Sequence, residues 1–224
     1  MSPLPVGRRV LRPAAPAVLL VVLLAGCGGA DPPGATPPSA AGAGSSTAAE
    51  DVALPSLRDE LLQMRRDDQA ERTGEGVPPG TPLTSTDASR TARLQEIIAE
   101  HGWPTVEMVG VEAATGAWLV AQHSDADVAF QARAVELVRP LVAAGQADPT
   151  ELAHLEDRVA VNRGEPQRYG TQIRCRAGVP DPATPLQDPA AVDVLRAEVG
   201  LGPLAEYYDE LAPGCREEAA AGGS

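Results

Sequence analysis

The chain has no lysine: all 18 basic residues are arginine, they face 31 acidic residues, and the formal net charge is −13. Without lysine, Schiff-base chemistry and lysine-dependent phosphate binding are excluded. We expect no nucleic-acid partner, because such a binder needs a positive surface that replaces phosphate counterions. Aromatic residues make up 3% of the chain, so the core must be built from Leu, Val and Ala.

Standard catalytic signatures are missing as well. The sequence contains no G-x-S-x-G elbow, no P-loop, no H-E-x-x-H motif, no paired C-x-x-C and no clear dinucleotide fingerprint. His123, Asp125 and Asp127 could coordinate a metal as His-x-Asp-x-Asp, but no second cluster at a defined spacing accompanies them. We therefore expect no metal site and no cofactor.

The N-terminus is typical of a secreted lipoprotein. Arg8 and Arg9 precede an apolar stretch that ends at Gly26 and is shorter than the roughly 20 residues that span a bilayer as a helix. Its end, Leu-Leu-Ala-Gly-Cys, resembles the bacterial lipobox, in which the cysteine is acylated after cleavage. We predict a signal peptide over residues 1–26 and a membrane anchor through lipidated Cys27 on the extracytoplasmic face. A signal peptide cut elsewhere and a short uncleaved anchor are the alternatives.

The composition changes twice along the rest of the chain. Residues 27–54 consist mostly of Gly, Pro, Ser, Thr and Ala without periodic apolar residues, so they cannot offset the entropy of ordering. We predict a disordered tether there, a single helical domain over residues 55–214, and a frayed tail over residues 215–224.

Apolar residues at helical spacing dominate the predicted domain. They indicate helices over 56 to about 73, 86 or 87 to 101, 111–122, 127–144, 148 to about 162, 188–199 and 203–211. The charged side of the first helix is interpreted as a solvated ladder of Arg and Asp. The segment 111–122 is almost without charge, so we expect it in the middle of the fold.

Two later segments, 167–175 and 184–187, have β-compatible residues between Pro, Gly and Asp. They favour a hairpin or two short strands. The expected fold is therefore mainly α, a compact helical bundle with a small β-hairpin near the C-terminal third.

Setting Cys27 aside leaves an even pair, Cys175 and Cys215, in an oxidising or surface-exposed setting. A disulfide between them would contribute roughly 4 kcal/mol by the loop-entropy estimate. Two independent thiols are the alternative, because the sequence supplies no Cα separation.

His123 and Asp157 are the candidate catalytic residues. His123 ends the apolar helix beside Asp125, where a titratable ring can serve as a general base or simply cap the last carbonyls. Asp157 and Arg158 lie next to an inward-facing apolar stripe, where they form either a structural ion pair or part of a polar pocket.

Polar side chains also gather around Gly170, a residue type that lets a backbone or a ligand approach closely. This segment supplies hydrogen bonds rather than nucleophiles, to a ligand or to helix ends. The candidate ligand-binding residues are Arg158, Gln167, Tyr169, Thr171 and Gln172.

The order of several short motifs is similar to that of a known family. The motifs are Asp68-Gln69-x-x-Arg72, Gly102-Trp103-Pro104-Thr105, Val109-Gly110, Gln122-His123-x-Asp125, Gln131, Asp157-Arg158-Val159 and Gln167-x-Tyr169-Gly170-Thr171-Gln172. Together they resemble the bacterial DUF6624 family over about residues 56–211. The resemblance implies a compact helical domain and brings no reaction with it. Two features depart from the pattern: Arg90 replaces an expected small polar residue, and an insertion around Arg174 to Gly178 carries Cys175.

These observations lead us to expect a membrane-anchored extracytoplasmic lipoprotein that binds a small polar or anionic ligand. The ligand pocket would be formed by His123, Asp157, Arg158, Tyr169 and Gln172. If the protein is an enzyme, hydrolysis fits best, with His123 as a general base oriented by Asp157 and Arg158 or Tyr169 stabilising an oxyanion. The alternative is a non-catalytic binding or scaffold protein that docks a cell-envelope protein on its acidic surface.

Overall fold

The computed structural model describes residues 53–73 and 86–222. The predicted signal peptide, Cys27 and most of the predicted tether lie outside the described residues. The described elements, in chain order, are α1 Pro55–Thr73, α2 Asp87–His101, α3 Val106–Val109, α4 Val111–Gln122, α5 Val128–Ala143, α6 Pro149–Asn162, β1 Ile173–Arg176, β2 Val179–Pro182, α7 Val192–Glu198 and α8 Leu204–Gly222. The predicted fold class, mainly α with a small hairpin, is confirmed. Within these ranges no helix is long and apolar enough to cross a bilayer.

Helix α4 lies at the centre of the bundle, as its lack of charge predicts, and packs against α1, α2, α3, α5 and α6. Its buried residues are small, among them Ala113, Gly116 and Ala117. A Cβ placed on Gly116 would lie 3.0 Å from the backbone oxygen of Leu61, so glycine at this position lets α1 approach closely. The end of α4 is thereby held where several other helices meet.

The helices around α4 bury their apolar stripes against it. Leu61 of α1 and Leu94 of α2 are fully buried, and Leu155 of α6 is inaccessible as well. Thr86 begins α2 by a reciprocal capping arrangement with Ser89. These contacts fix the directions of the helices that carry the polar residues described below.

The hairpin is shorter than predicted: β1 begins later than residue 167, and β2 lies before the predicted second segment 184–187. Strands β1 and β2 pair antiparallel, with Ile173 opposite Pro182, and outside them Gln167 and Leu186 form an isolated bridge. The prediction of strand structure from residue 167 is wrong because the amides of residues 168, 169 and 171 donate to the side chain of Asp157 and so are unavailable for a ladder.

The last two helices also differ from the sequence prediction. Helix α7 starts at Val192 rather than at residue 188, because the Asp188 side chain accepts the amides of Ala190 and Ala191 in a turn. Helix α8 extends to Gly222, past the predicted end at Leu211 and through most of the predicted frayed tail. It packs on both strands and its Cys215 is disulfide-bonded to Cys175, which explains the added order.

Candidate functional site

The His123 ring lies against a buried carboxylate of α1. Its Nδ1 is 2.8 Å from Oδ1 of Asp68, whose side chain is 0% exposed, while the His123 side chain is 18% exposed. The guanidinium Nε of Arg72 lies 2.8 Å from the same Nδ1. Because Nδ1 carries either a proton or a lone pair, it donates to Asp68 in one tautomer and accepts from Arg72 in the other.

Asp68 is ionised in this setting. Burial alone would raise its pKa, but hydrogen bonds from His123 and Gln69 and the charges of His123 and Arg72 outweigh burial and hold the pKa below its ordinary value. The Asp68 carboxylate favours the tautomer in which Nδ1 of His123 donates to it, whereas the Nε–H of Arg72 favours the tautomer in which Nδ1 accepts. The first of these leaves the lone pair on Nε2, the nitrogen that a general base uses.

A network of charges continues from Arg72 toward α2. Nη2 of Arg72 donates to both oxygens of Asp87 at 2.9 and 3.0 Å, and Nη2 of Arg90 lies 2.6 Å from Glu71. Arg90 is 1% exposed, and although burial lowers the pKa of its guanidinium, hydrogen bonds to Glu71 and Asp87 raise it above the ordinary value. Arg90, the residue that departs from the family pattern, therefore links α1 and α2 through buried ion pairs.

A second polar network begins at Asp125, just beyond α4. Its oxygens accept from Nε of Arg158 at 2.8 Å, from the Asn162 amide at 2.9 Å and from the Gln131 amide at 3.2 Å. Burial would raise the pKa of Asp125, but Arg158 and the two amides lower it below its ordinary value. Arg158 also donates to Oε1 of Gln172 at 3.2 Å, so it connects α6 with the segment before the hairpin.

An open cleft of about 490 Å³ lies between α2 and the connection from α4 to α5. Its polar lining comes from Asp87, Thr91, Gln95, His123, Ser124, Asp125 and Asp127. Within the described ranges, Nε2 of His123 has no hydrogen-bond partner. Ser124 is no free nucleophile, because its hydroxyl donates to the carbonyl of Val120 at 2.7 Å and contacts the hydroxyl of Thr91 at 2.7 Å.

Asp157 does not orient His123. It is 1% exposed, and its oxygens accept the backbone amides of Arg168, Tyr169 and Thr171 at 2.8, 3.1 and 2.8 Å, with the Thr171 hydroxyl at 3.0 Å. A carboxylate used by four donors anchors the loop after α6. The carboxylate that contacts His123 belongs to Asp68 and not, as predicted, to Asp157.

The other predicted ligand-binding residues also lock this loop. Gln167 is fully buried, with its amide 3.0 Å from the carbonyl of Gln172 and its side-chain oxygen 2.8 Å from the Gln172 amide. Tyr169 is buried, and burial together with the nearby Glu156 raises its pKa. Within the part of the chain that the structure describes, Arg158 is the one predicted ligand-binding residue whose side chain hydrogen-bonds to a residue lining the cleft at His123.

The position of Asp68 on α1 indicates that it is buried, although a charged residue is normally expected at the surface. In α1, Leu57, Leu61, Met64 and Asp68 follow one another at steps of four, three and four residues, so the carboxylate stands at the next position of the buried stripe. Interpreting the Asp and Arg residues of α1 as a solvated ladder was wrong for Asp67 and Asp68, which are both buried. A buried carboxylate must be paired with a hydrogen-bond donor or a positive charge, and Arg72 and His123 are the partners of Asp68.

In the part of the chain that the structure describes, no group of three or more His, Cys, Asp or Glu side chains is arranged to hold a metal ion. The comparisons with known proteins found no match among curated proteins and none among solved structures. The model of one family of unknown function, DUF6624, matches residues 55–215. The match covers α1 to α7 and most of α8, including both polar networks. This chain therefore belongs to the DUF6624 family.

Proposed function

We propose that this domain binds a small polar ligand in the cleft at His123 and hydrolyses it, with His123 as the general base. The observation that carries the proposal is the 2.8 Å contact between Nδ1 of His123 and the inaccessible carboxylate of Asp68, on a ring that reaches the wall of an open cleft. A carboxylate that holds Nδ1 fixes the ring and stabilises the imidazolium that forms after proton abstraction.

Water is the nucleophile in this proposal. The Ser124 hydroxyl beside His123 is 2% exposed and its proton is committed to Val120, so it is unsuited to attack. His123 would take a proton from water bound in the cleft through Nε2. The Asp68 carboxylate positions His123 and does not itself touch the substrate.

The charge of the cleft narrows the ligand class. Asp87, Asp125 and Asp127 all line it; Arg72 and Arg90 neutralise the first and Arg158 neutralises the second. The remaining carboxylate, Asp127, accepts from the Gln95 amide, and its negative charge disfavours an anionic ligand and favours a neutral or cationic one. A small ester or amide with hydroxyl or amino substituents is the substrate class that this lining suits.

Hydrolysis of p-nitrophenyl acetate and a panel of amino-acid p-nitroanilides by the full chain tests this proposal. We expect His123→Gln to lower kcat/KM by about 10²–10⁴-fold with nearly unchanged thermal stability. Asp68→Asn should lower kcat and alter its pH profile. His101→Gln is the matched control, since His101 is an exposed histidine at the end of α2.

The opposite pattern would support the rival function, a non-catalytic binding or scaffold protein of the cell envelope. In that case His123→Gln would lower the free energy of unfolding by about 1–3 kcal/mol, as loss of a structural hydrogen-bonded hub does. No substrate of the panel would be turned over by the unsubstituted chain. That combination would refute the hydrolase proposal.

For the cellular location, we propose that residues 1–26 are removed and that Cys27 carries the lipid that anchors the domain to the outer side of the membrane. The support is the sequence pattern of two arginines, a short apolar stretch and the terminal Ala-Gly-Cys. Labelling of expressing bacterial cells with a palmitate analogue should mark the wild-type chain and not Cys27→Ser. Labelling of both, or of neither, would contradict the anchor.

A further inference from the structure

A second cavity, of about 250 Å³, lies beside α6, α7 and α8 and shares no lining residue with the cleft at His123. Residues from three helices and the loop before α8 surround it. The polar ones that the argument uses are His154, Arg196, Glu206, Tyr207 and Glu210.

Arg196 is the unusual residue of this cavity, because it is 2% exposed and takes part in none of the ion pairs found among the described residues. Its Nε donates to the carbonyl of Gly202 at 2.6 Å and its Nη1 to the carbonyl of Tyr169 at 2.9 Å. The guanidinium also lies 5.2 Å from the ring centre of Tyr207. Nη2 has no acceptor in the described part of the chain. A buried cation is normally paired, so this one is poised for an anion.

The two acids whose charges act on Arg196, Asp157 and Asp193, are engaged elsewhere. Asp157 accepts the amide of Tyr169, and the carbonyl of the same residue accepts from Arg196, so the backbone of Tyr169 separates the two charges. Asp193 accepts the amide of Leu204 at 2.9 Å. Both raise the pKa of Arg196 through their charge, but burial is the larger effect and the net pKa is lowered. The guanidinium of Arg196 is therefore bonded to carbonyl oxygens and lacks a directly paired carboxylate, so it can still bind an anion.

Two exposed carboxylates of α8 stand at the same cavity. Glu206 and Glu210 are four residues apart and therefore share a helix face. Oε2 of Glu206 lies 3.8 Å from the position that a Cβ on Gly202 would occupy, which places it over the residue whose carbonyl binds Arg196. The cavity thus combines a buried positive group with a negative pair that solvent reaches.

We propose that this cavity binds a small zwitterion of the amino-acid class, with its carboxylate on Arg196 and its ammonium group facing Glu206 and Glu210. Planar guanidinium groups bind carboxylates through two parallel hydrogen bonds, and an exposed pair of carboxylates suits an ammonium group. The cavity is smaller than the roughly 300–1,000 Å³ of sites for drug-sized ligands, which favours a compact ligand. Nδ1 of His154 is 2.9 Å from the carbonyl of Thr150 and must donate to it, so a neutral His154 offers Nε2 as a further acceptor.

Titration calorimetry of the full chain with glycine, L-alanine, L-serine, acetate and ethylamine tests the proposal. At least one of the three amino acids should bind at least about tenfold more tightly than acetate or ethylamine. Glu206→Gln with Glu210→Gln should abolish that advantage without weakening acetate binding, because it removes negative charge from the cavity. Glu217→Gln with Glu218→Gln is the matched control, because these exposed acids lie on α8 away from the cavity. Arg196→Lys should weaken both amino-acid and acetate binding.

Three results would overturn the proposal: no heat with any of the three amino acids, amino-acid binding no tighter than acetate binding, or unchanged amino-acid binding in the Glu206/Glu210 double variant. If Arg196→Lys fails to fold, the double variant decides, since it replaces exposed side chains alone. The outcome is independent of the hydrolase proposal. The loss of turnover in His123→Gln concerns the cleft at His123, so it is expected whether or not amino acids bind at Arg196.

Discussion

The carboxylate of Asp68 and the ring of His123 meet at 2.8 Å although 55 positions separate them in the chain. The contact joins the middle of α1 to the end of α4, and the Arg72 guanidinium lies 3.2 Å from the same carboxylate. One buried charge therefore organises the wall of the cleft. Its removal should affect both the stability of the bundle and the chemistry of His123.

Asp68→Asn should lower the free energy of unfolding by about 1–3 kcal/mol, because it leaves Arg72 and His123 without the buried charge that they contact. Urea unfolding at neutral pH measures the effect. Asp59→Asn is the matched control on the same helix, since the Asp59 side chain is 79% exposed. Equal stabilities of the two variants would show that Asp68 contributes no more than a surface acid.

Acid should destabilise the protein through Asp68 and Asp125, whose pKa values both lie below the ordinary carboxyl value. A group with a lowered folded pKa contributes its stability above the unfolded pKa of about 3.9 and loses it as the pH falls through the folded pKa. We therefore expect the free energy of unfolding to fall as the pH drops from about 5 to below 3 in urea titrations.

The two carboxylates can be distinguished by salt. The Asp125–Arg158 pair is partly exposed, so 1 M salt should weaken its contribution, while the inaccessible Asp68 should keep most of its own. Asp68→Asn should therefore flatten the acid slope at both low and high salt. A slope that survives in Asp68→Asn at high salt would contradict this assignment.

The sequence predicted the fold well where charge and apolar pattern agreed. The run 111–122, which carries Glu112 as its single charged residue, coincides with α4, and the predicted end of α6 at Asn162 agrees with the structure. It predicted the site less well, because the partners of a titratable group lie far along the chain. The sequence points to His123 through its place at the helix end, but it predicts Asp157 as the partner because that acid stands out beside Arg158.

Asp157→Asn tests the structural role that the geometry gives this residue. The asparagine would present an amide where backbone N–H groups now donate, so we expect a loss on the order of 3 kcal/mol in the free energy of unfolding. Asp209→Asn, at an exposed position of α8, should have no measurable effect. If Asp157→Asn instead abolished turnover at full stability, the catalytic role first predicted for Asp157 would be restored.

Gly116→Ala should destabilise the bundle although alanine favours helices. The added Cβ would lie 3.0 Å from the Leu61 backbone oxygen and 3.3 Å from Cβ of Arg65, so α1 and α4 would have to separate. We expect a net loss of about 1–3 kcal/mol in the free energy of unfolding.

Gly214→Ala in α8 is the matched control, because nothing lies within 4 Å of its Cβ position. That variant should gain up to about 1 kcal/mol from helix propensity. Thermal unfolding of both variants should give shifts of opposite sign; two gains would show that α1 and α4 tolerate the methyl group.

The disulfide between Cys175 and Cys215 should stabilise the C-terminal region, because it spans 40 positions and ties α8 to β1. Replacing both cysteines by serine should cost up to about 4 kcal/mol by loop entropy. The loss should be uneven: α8 beyond Leu211 carries few buried residues besides Cys215, so its amides should exchange with solvent much faster in the double variant, while those of α4 keep their order of protection. Thiol labelling of the native, unreduced chain should leave both cysteines unmodified. Labelling of both would show that the sulfurs are not joined in solution.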